Sequence, residues 1–122
     1  MATLTATLTL TSTAGDITTQ ALSLSESDIL SVGEPTISPS RVSVATTGAE
    51  VLIPSSVSAI SYVYLKNTDS TNIIVVKNDN GDNIADLGPG EFAWFPLKGA
   101  TGVECTAVTA ACILEYAYWT KS

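Results

Sequence analysis

Few residues in this chain have the chemistry for catalysis. There is no histidine, which removes the commonest general base, any Ser-His or Cys-His nucleophile pair and most zinc sites. Carboxylates remain. Asp79 and Asp82 flank Gly81 in the run NDNGDN, together with Asn78, Asn80 and Asn83. At a glance this resembles a calcium loop, but an EF-hand needs ligands at alternate positions ahead of its glycine and a distant bidentate Glu after it. Ordinary Asx-Gly turn chemistry accounts for the cluster. Glu26 and Asp28 sit in a polar stretch and have the same plain reading. Gly88-Pro89-Gly90 lacks the Lys and the strand-to-helix context of a phosphate loop, so it reads as a tight turn between strands.

Two further groups could carry function. Cys105 and Cys112 are expected on the two arms of a closing hairpin turning near Val108-Thr109, where a disulfide is geometrically possible. In a reducing cytoplasm they are instead expected as two small buried hydrophobes, and no other soft ligand is near enough to make a metal site. Phe92, Trp94, Phe95, Tyr116, Tyr118 and Trp119 could form a platform for a sugar or single-stranded nucleic acid. Aromatics in a β-sandwich are more often core, because of the apolar area they bury. Trp94 and Trp119 are the two that could occupy the face turned away from the core. No catalytic, cofactor-binding or metal-binding residue is expected.

The elements that must position these side chains have a period of two. In TLTATLTLTST, Thr3 to Thr13, Thr fills every odd position, and Leu4, Ala6, Leu8 and Leu10 fill even ones. The segment therefore predicts a strand with one apolar and one hydroxyl face. A turn is expected at Ala14-Gly15-Asp16, then alternation over 21–25, continued by 29–32 and broken at Gly33-Glu34-Pro35. Further strands are predicted over 41–46, 50–53, 59–66, 72–77, 84–87, 91–97, 103–108 and 112–119. The 59–66 segment, AISYVYLK, is apolar on both phases and is expected to be central and buried on both sides. Asn80-Gly81 predicts a type I′ hairpin turn. Nine or ten short strands without a helix predict an all-β fold: an antiparallel β-sandwich, compatible with a jelly roll, carrying an extended N-terminal strand or arm. Because every aromatic follows Pro39, residues 1–39 are read as an arm and outer strands, and 40–122 as the sandwich core of a single domain.

Composition narrows the function classes. Only 14% of the 122 residues are charged, against about 25% in an average globular protein. Ser and Thr fill 31 of the 122 positions instead, which suits a protein that works assembled. The net charge is −7, and the five basic residues, Arg41, Lys66, Lys77, Lys98 and Lys121, are scattered singly. Nucleic-acid binding needs clustered cations, as does a polybasic membrane anchor, so neither partner is expected. No signal peptide or apolar run of membrane-spanning length is apparent, so a soluble chain made in the cytoplasm is expected.

The run from Ser61 to Trp119 resembles the C-terminal part of small virion proteins of tailed bacteriophages. The pieces that carry the resemblance are YVYLKNT at 62–68, LGPGEF at 87–92 and the closing Glu115-Tyr116. In such sequences a strand ending in KNT precedes a variable hairpin, an L-x-P-G-E-F turn and strand, and an EY strand. The likeness covers about half the chain, and its motifs are structural. It implies a non-enzymatic virion protein on the capsid surface: a decoration or cement protein whose partner is the major capsid protein, or else a tail, neck or fibre component. On that reading the acidic charge faces away from packaged DNA. The N-terminal strand would extend a neighbour's sheet, and Leu4, Leu8 and Leu10 would fill apolar pockets. Self-association into a homodimer or homotrimer is expected from edge strands with few charges. A carbohydrate-binding adhesin, stacking a sugar on Trp94 or Trp119, is the rival from another class.

Overall fold

The computed structural model describes residues 2–13, 22–35 and 39–122. The expected turn at Ala14-Gly15-Asp16 and the start of the second alternating run at Ala21 lie outside them. The chain divides into two compact units, one formed by residues 1–33 with Ser122 and the other by residues 34–121.

The first unit holds two strands, β1 (Ala2–Thr11) and β2 (Ser23–Pro35). They pair antiparallel over ten consecutive positions, from Ala2 opposite Val32 to Thr11 opposite Ser23. The N-terminal strand is thus not a free arm, because one of its edges is occupied by its own chain. β2 runs through Gly33 to Pro35, where the sequence predicts a break. Opposite residues of an antiparallel pair share a face, so the two alternations add rather than cancel. One face carries Leu4 against Leu30, Ala6 against Asp28, Leu8 against Glu26 and Leu10 against Leu24. The other carries Thr3, Thr5, Thr7, Thr9 and Thr11 against Ser31, Ile29, Ser27, Ser25 and Ser23.

The second unit is a sandwich of two antiparallel sheets. In the first, β10 (Cys112–Lys121) lies between β3 (Ser40–Val44) and β5 (Ser61–Asn67), and β5 pairs with β8 (Phe92–Leu97). The second has the order β4 (Glu50–Ile53), β9 (Val103–Ala107), β6 (Ile74–Lys77), β7 (Asn83–Leu87). The inward phases of both sheets form one apolar core, with Val63, Leu65 and Leu114 of the first against Ile74, Val76 and Val103 of the second. A register shift between Val51 and Ile53 turns Leu52 and Ile53 inward together, so both are buried although adjacent in sequence.

Three local expectations are corrected. First, β5 is central, but only its Ser61, Val63, Leu65 and Asn67 phase is buried, while Tyr62 and Tyr64 stand on the outer face of the sheet. Second, β9 and β10 do not form a hairpin, because β9 pairs with β4 and β6 and β10 with β3 and β5. Residues 108–111 carry the chain from one sheet to the other, so Cys105 and Cys112 do not face each other across a turn. Third, the turn at 78–82 is not type I′. A type I′ turn needs positive φ at both central residues, and Gly81 has it (86°) while Asn80 does not. The Gly81 amide donates to the Asn78 carbonyl at 3.0 Å, which is a type I turn followed by a left-handed glycine. Asn78 Oδ1 accepts the Asn80 and Asp82 amides at 3.0 Å each, so the Asx cluster satisfies its own loop.

Candidate functional site

The described surface offers two candidate docking regions. Among the described residues no group of three or more His, Cys, Asp or Glu side chains could hold a metal ion, and no helix is long and apolar enough to cross a membrane. Cys105 and Cys112 are buried free thiols. Burial pushes Cys105 up to about 12, with Glu104 and Glu50 adding to the rise. Cys112 is raised in the same way by burial and then by Asp69. Burial thus disfavours the reactive thiolate form of both cysteines.

The first region is the leucine face of the β1–β2 hairpin. Leu8 and Leu10 are 47% and 44% exposed, and Leu4 is half-buried. Leu24 lies on the same face opposite Leu10 and is also exposed. Glu26 and Asp28 interrupt the strip opposite Leu8 and Ala6. The sequence shows these two carboxylates only as a polar stretch; the register places them side by side within an apolar face. The opposite face is mostly hydroxyls, broken by the exposed Ile29 opposite Thr5, and Thr7 and Ser27 share a hydrogen bond of 3.1 Å on it.

The second region is the outer face of the β3–β10–β5–β8 sheet. The register brings Trp94 of β8, Tyr62 of β5 and Trp119 of β10 onto that face. Trp94 lies parallel to Tyr62 with ring centroids 6.1 Å apart, and is tilted 47° to Trp119 at 6.0 Å. Trp94 is 39% exposed and Phe92, beside it on the edge strand, 63%; Trp119 is half-buried. Phe95 points the other way and packs against the core, as do Tyr116 and Tyr118. The six candidate aromatics therefore divide evenly between platform and core.

A polar cluster lies on the same outer face. Tyr64 Oη donates to Glu115 Oε1 at 2.9 Å, and Arg41 Nε donates to Glu115 Oε2 at 3.2 Å. The Tyr64 hydrogen bond first, and then the hydrogen bond and charge of Arg41, hold the Glu115 carboxyl below its ordinary range. Burial and then that same bond raise the Tyr64 phenol.

One residue that sequence reasoning passed over organises the rest. Asn67 is fully buried, and its Nδ2 donates to the carbonyls of Asn72 (2.8 Å), Leu87 (2.9 Å) and Gly88 (3.2 Å). Its Oδ1 accepts the Asp69 amide at 3.0 Å. Its backbone amide donates to Glu91 O, and its carbonyl accepts the Gly90 amide. The Gly88-Pro89-Gly90 turn is type II, with Gly90 at φ 75° and the Glu91 amide closing onto the Gly88 carbonyl. Asn67 thus ties the KNT strand end to the LGPGEF turn. The signal was its phase: Asn67 continues the inward series Ser61, Val63, Leu65, so a polar residue was due in the core and had to be satisfied there.

These observations define an all-β protein with two antiparallel sheets, consistent with a β-sandwich, and a pair of N-terminal strands. Comparison with family models, curated proteins and solved structures finds no match.

Proposed function

We propose that this is a non-enzymatic structural protein of a tailed-phage virion, a decoration protein that docks on the outer surface of the head and strengthens contacts of the major capsid protein. The observation that carries the reading is the β1–β2 hairpin, whose leucine face is left half-exposed in a chain poor in charge. Burying such a face stabilises an assembly by about 25 cal/mol per Å² of apolar area, and repetition over a shell multiplies the gain. The resemblance of residues 61–119 to small virion proteins supports the same class. Leu4, Leu8 and Leu10 make the contact.

The test is the copy number of the chain in purified particles, by quantitative mass spectrometry against the major capsid protein. A ratio near one, or a simple fraction of it, is expected. A far smaller ratio moves the chain to the tail, neck or fibres, and absence from particles overturns the virion reading. A second reading rests on the Tyr62–Trp94–Trp119 cluster: an adhesin that stacks a sugar ring on Trp94. Tryptophan fluorescence against a glycan panel separates the two, since decoration alone leaves it unchanged.

A further inference from the structure

The geometry points to the open edge of β1 as a self-association surface: two copies of this chain pair antiparallel along β1, about a two-fold axis through Thr7. β1 pairs with β2 on one side, and among the described residues no strand pairs with its other side. An edge strand is normally protected by a charge, a proline or a bulge. β1 has none of these: Ala2 to Thr11 contains no charged residue and no proline, and its pairing with β2 proceeds without a register shift.

The occupant follows from the sequence of the edge itself. The five threonines at 3, 5, 7, 9 and 11 are symmetric about Thr7. Antiparallel pairing centred there sets Thr3 against Thr11, Thr5 against Thr9 and Thr7 against its own copy. On the other face it sets Leu4 against Leu10 and Ala6 against Leu8. From Thr3 to Thr11 every hydroxyl meets a hydroxyl and every apolar side chain an apolar one, because a two-fold through a residue preserves side-chain parity, while Ala2 falls opposite Ser12. A centre at Ala6 preserves parity too, but it leaves Thr11 without a threonine partner and sets Ala6 against Ala6. The Thr7 centre is therefore the favoured register. The product is a continuous β2–β1–β1–β2 ribbon with one leucine face and one hydroxyl face. An isologous contact of this kind closes on itself and stops at two copies.

This inference does not rest on the virion reading, because the dimer forms in solution from the chain alone. It leaves the leucine face free for docking, since pairing consumes only the strand edge.

The test combines sedimentation with cysteine cross-linking of the full chain. Both native thiols are buried, so a cysteine introduced on β1 is the exposed one. The unmodified chain is expected to sediment at twice its chain mass. Opposed residues of an antiparallel pair have Cα atoms about 4.5–5.5 Å apart, within the range a disulfide spans. Thr7→Cys is therefore expected to cross-link to its own copy on mild oxidation. Thr5→Cys alone should not, while a mixture of Thr5→Cys and Thr9→Cys chains should form the mixed dimer. Thr7→Lys, which opposes two ammonium groups across the axis, should raise the dimer dissociation constant by about tenfold or more. A monomer at all concentrations overturns the inference. So does a larger closed assembly, equal cross-linking of Thr5→Cys and Thr7→Cys, or a Thr7→Lys chain that dimerises as before. Absence of the chain from particles would count against the virion reading and leave the dimer standing.

Discussion

Replacing Asn67 with Ala removes three carbonyl contacts and one amide contact at once. Asn67 is fully buried, and its side chain bonds the carbonyls of Asn72, Leu87 and Gly88 and the Asp69 amide. Each hydrogen bond contributes about 0.5–1.5 kcal/mol net, and a buried partner left unsatisfied costs about 1–3 kcal/mol. Leu87 is buried, so water cannot readily replace the amide at its carbonyl; Asn72 and Gly88 are more accessible and regain solvent. The Nδ2 group has two hydrogens for its three carbonyls, so counting the Leu87 bond at the full penalty and two further bonds at the net value gives about 2–6 kcal/mol. Urea unfolding followed by tryptophan fluorescence measures this as a lower midpoint at unchanged slope. Asn67→Asp sharpens the test, because its carboxylate would face three carbonyl oxygens. The folded-state pKa of that Asp would be raised above its unfolded value of about 3.9. The variant should then be nearest to wild type in stability below about pH 4 and lose stability as pH rises through the raised value. A loss below about 1 kcal/mol in Asn67→Ala, or a pH-independent penalty in Asn67→Asp, refutes the hub reasoning.

The other expectations concern the second unit. In the native chain a thiol reagent should titrate neither cysteine, and in guanidinium chloride both, because each thiol is buried and its pKa raised. Fast native labelling would mean that the sandwich opens. Glu115 is lowered from 4.5 in the folded state, so its contribution is present above that value and lost as pH falls through the lower native one. The acid limb of the stability curve should be shallower in Glu115→Gln. Tyr64 is raised from 10.0, so its contribution is complete below that value and lost as pH climbs through the higher native one. Absorbance titration of Tyr64→Phe should lack the late-ionising phenol. Gly90→Ala forces an L-residue to φ 75° with nothing within 4 Å of the added Cβ, so thermal melts should report pure backbone strain of about 1–2 kcal/mol. Gly99→Ala should cost more, because its Cβ would meet the Ser58 carbonyl.

Most strands were legible, because alternation and β-branched or aromatic runs bounded by turn residues are local properties, although β4 and β7 do not alternate in burial. Pairing was not. β9 and β10 are joined by four residues and look like a hairpin, yet Val103, Cys105 and Ala107 are buried against one sheet's partners while Cys112 and Leu114 belong to the other. Nothing in either strand records its neighbour. β5 misled for a related reason, since Tyr62 and Tyr64 are as apolar by type as Val63 and Leu65 although they cover an outer face. Trp94 and Trp119 could be singled out as candidates, but their junction through Tyr62 depends on the order β10–β5–β8, which is a tertiary fact. Asn67 was passed over because Asn in KNT resembles an ordinary turn residue, although its phase marked it as inward.

The acidic pair on the leucine face bears most directly on docking. Glu26 and Asp28 are two residues apart on one strand face, about 7 Å by strand geometry, opposite Leu8 and Ala6. A purely apolar partner would have to desolvate both carboxylates without compensation, at a cost of several kcal/mol each. The surface that fits must therefore be apolar at Leu4 and Leu10 and present a cation between them. Attachment through this face should weaken as salt is raised, and Glu26→Gln with Asp28→Asn should abolish that salt dependence while leaving the fold intact. Leu8→Glu should remove binding altogether. Were attachment to survive Leu8→Glu with its salt response unchanged, the contact would lie elsewhere on the chain, and the outer aromatic face around Trp94 would be the surface to test next.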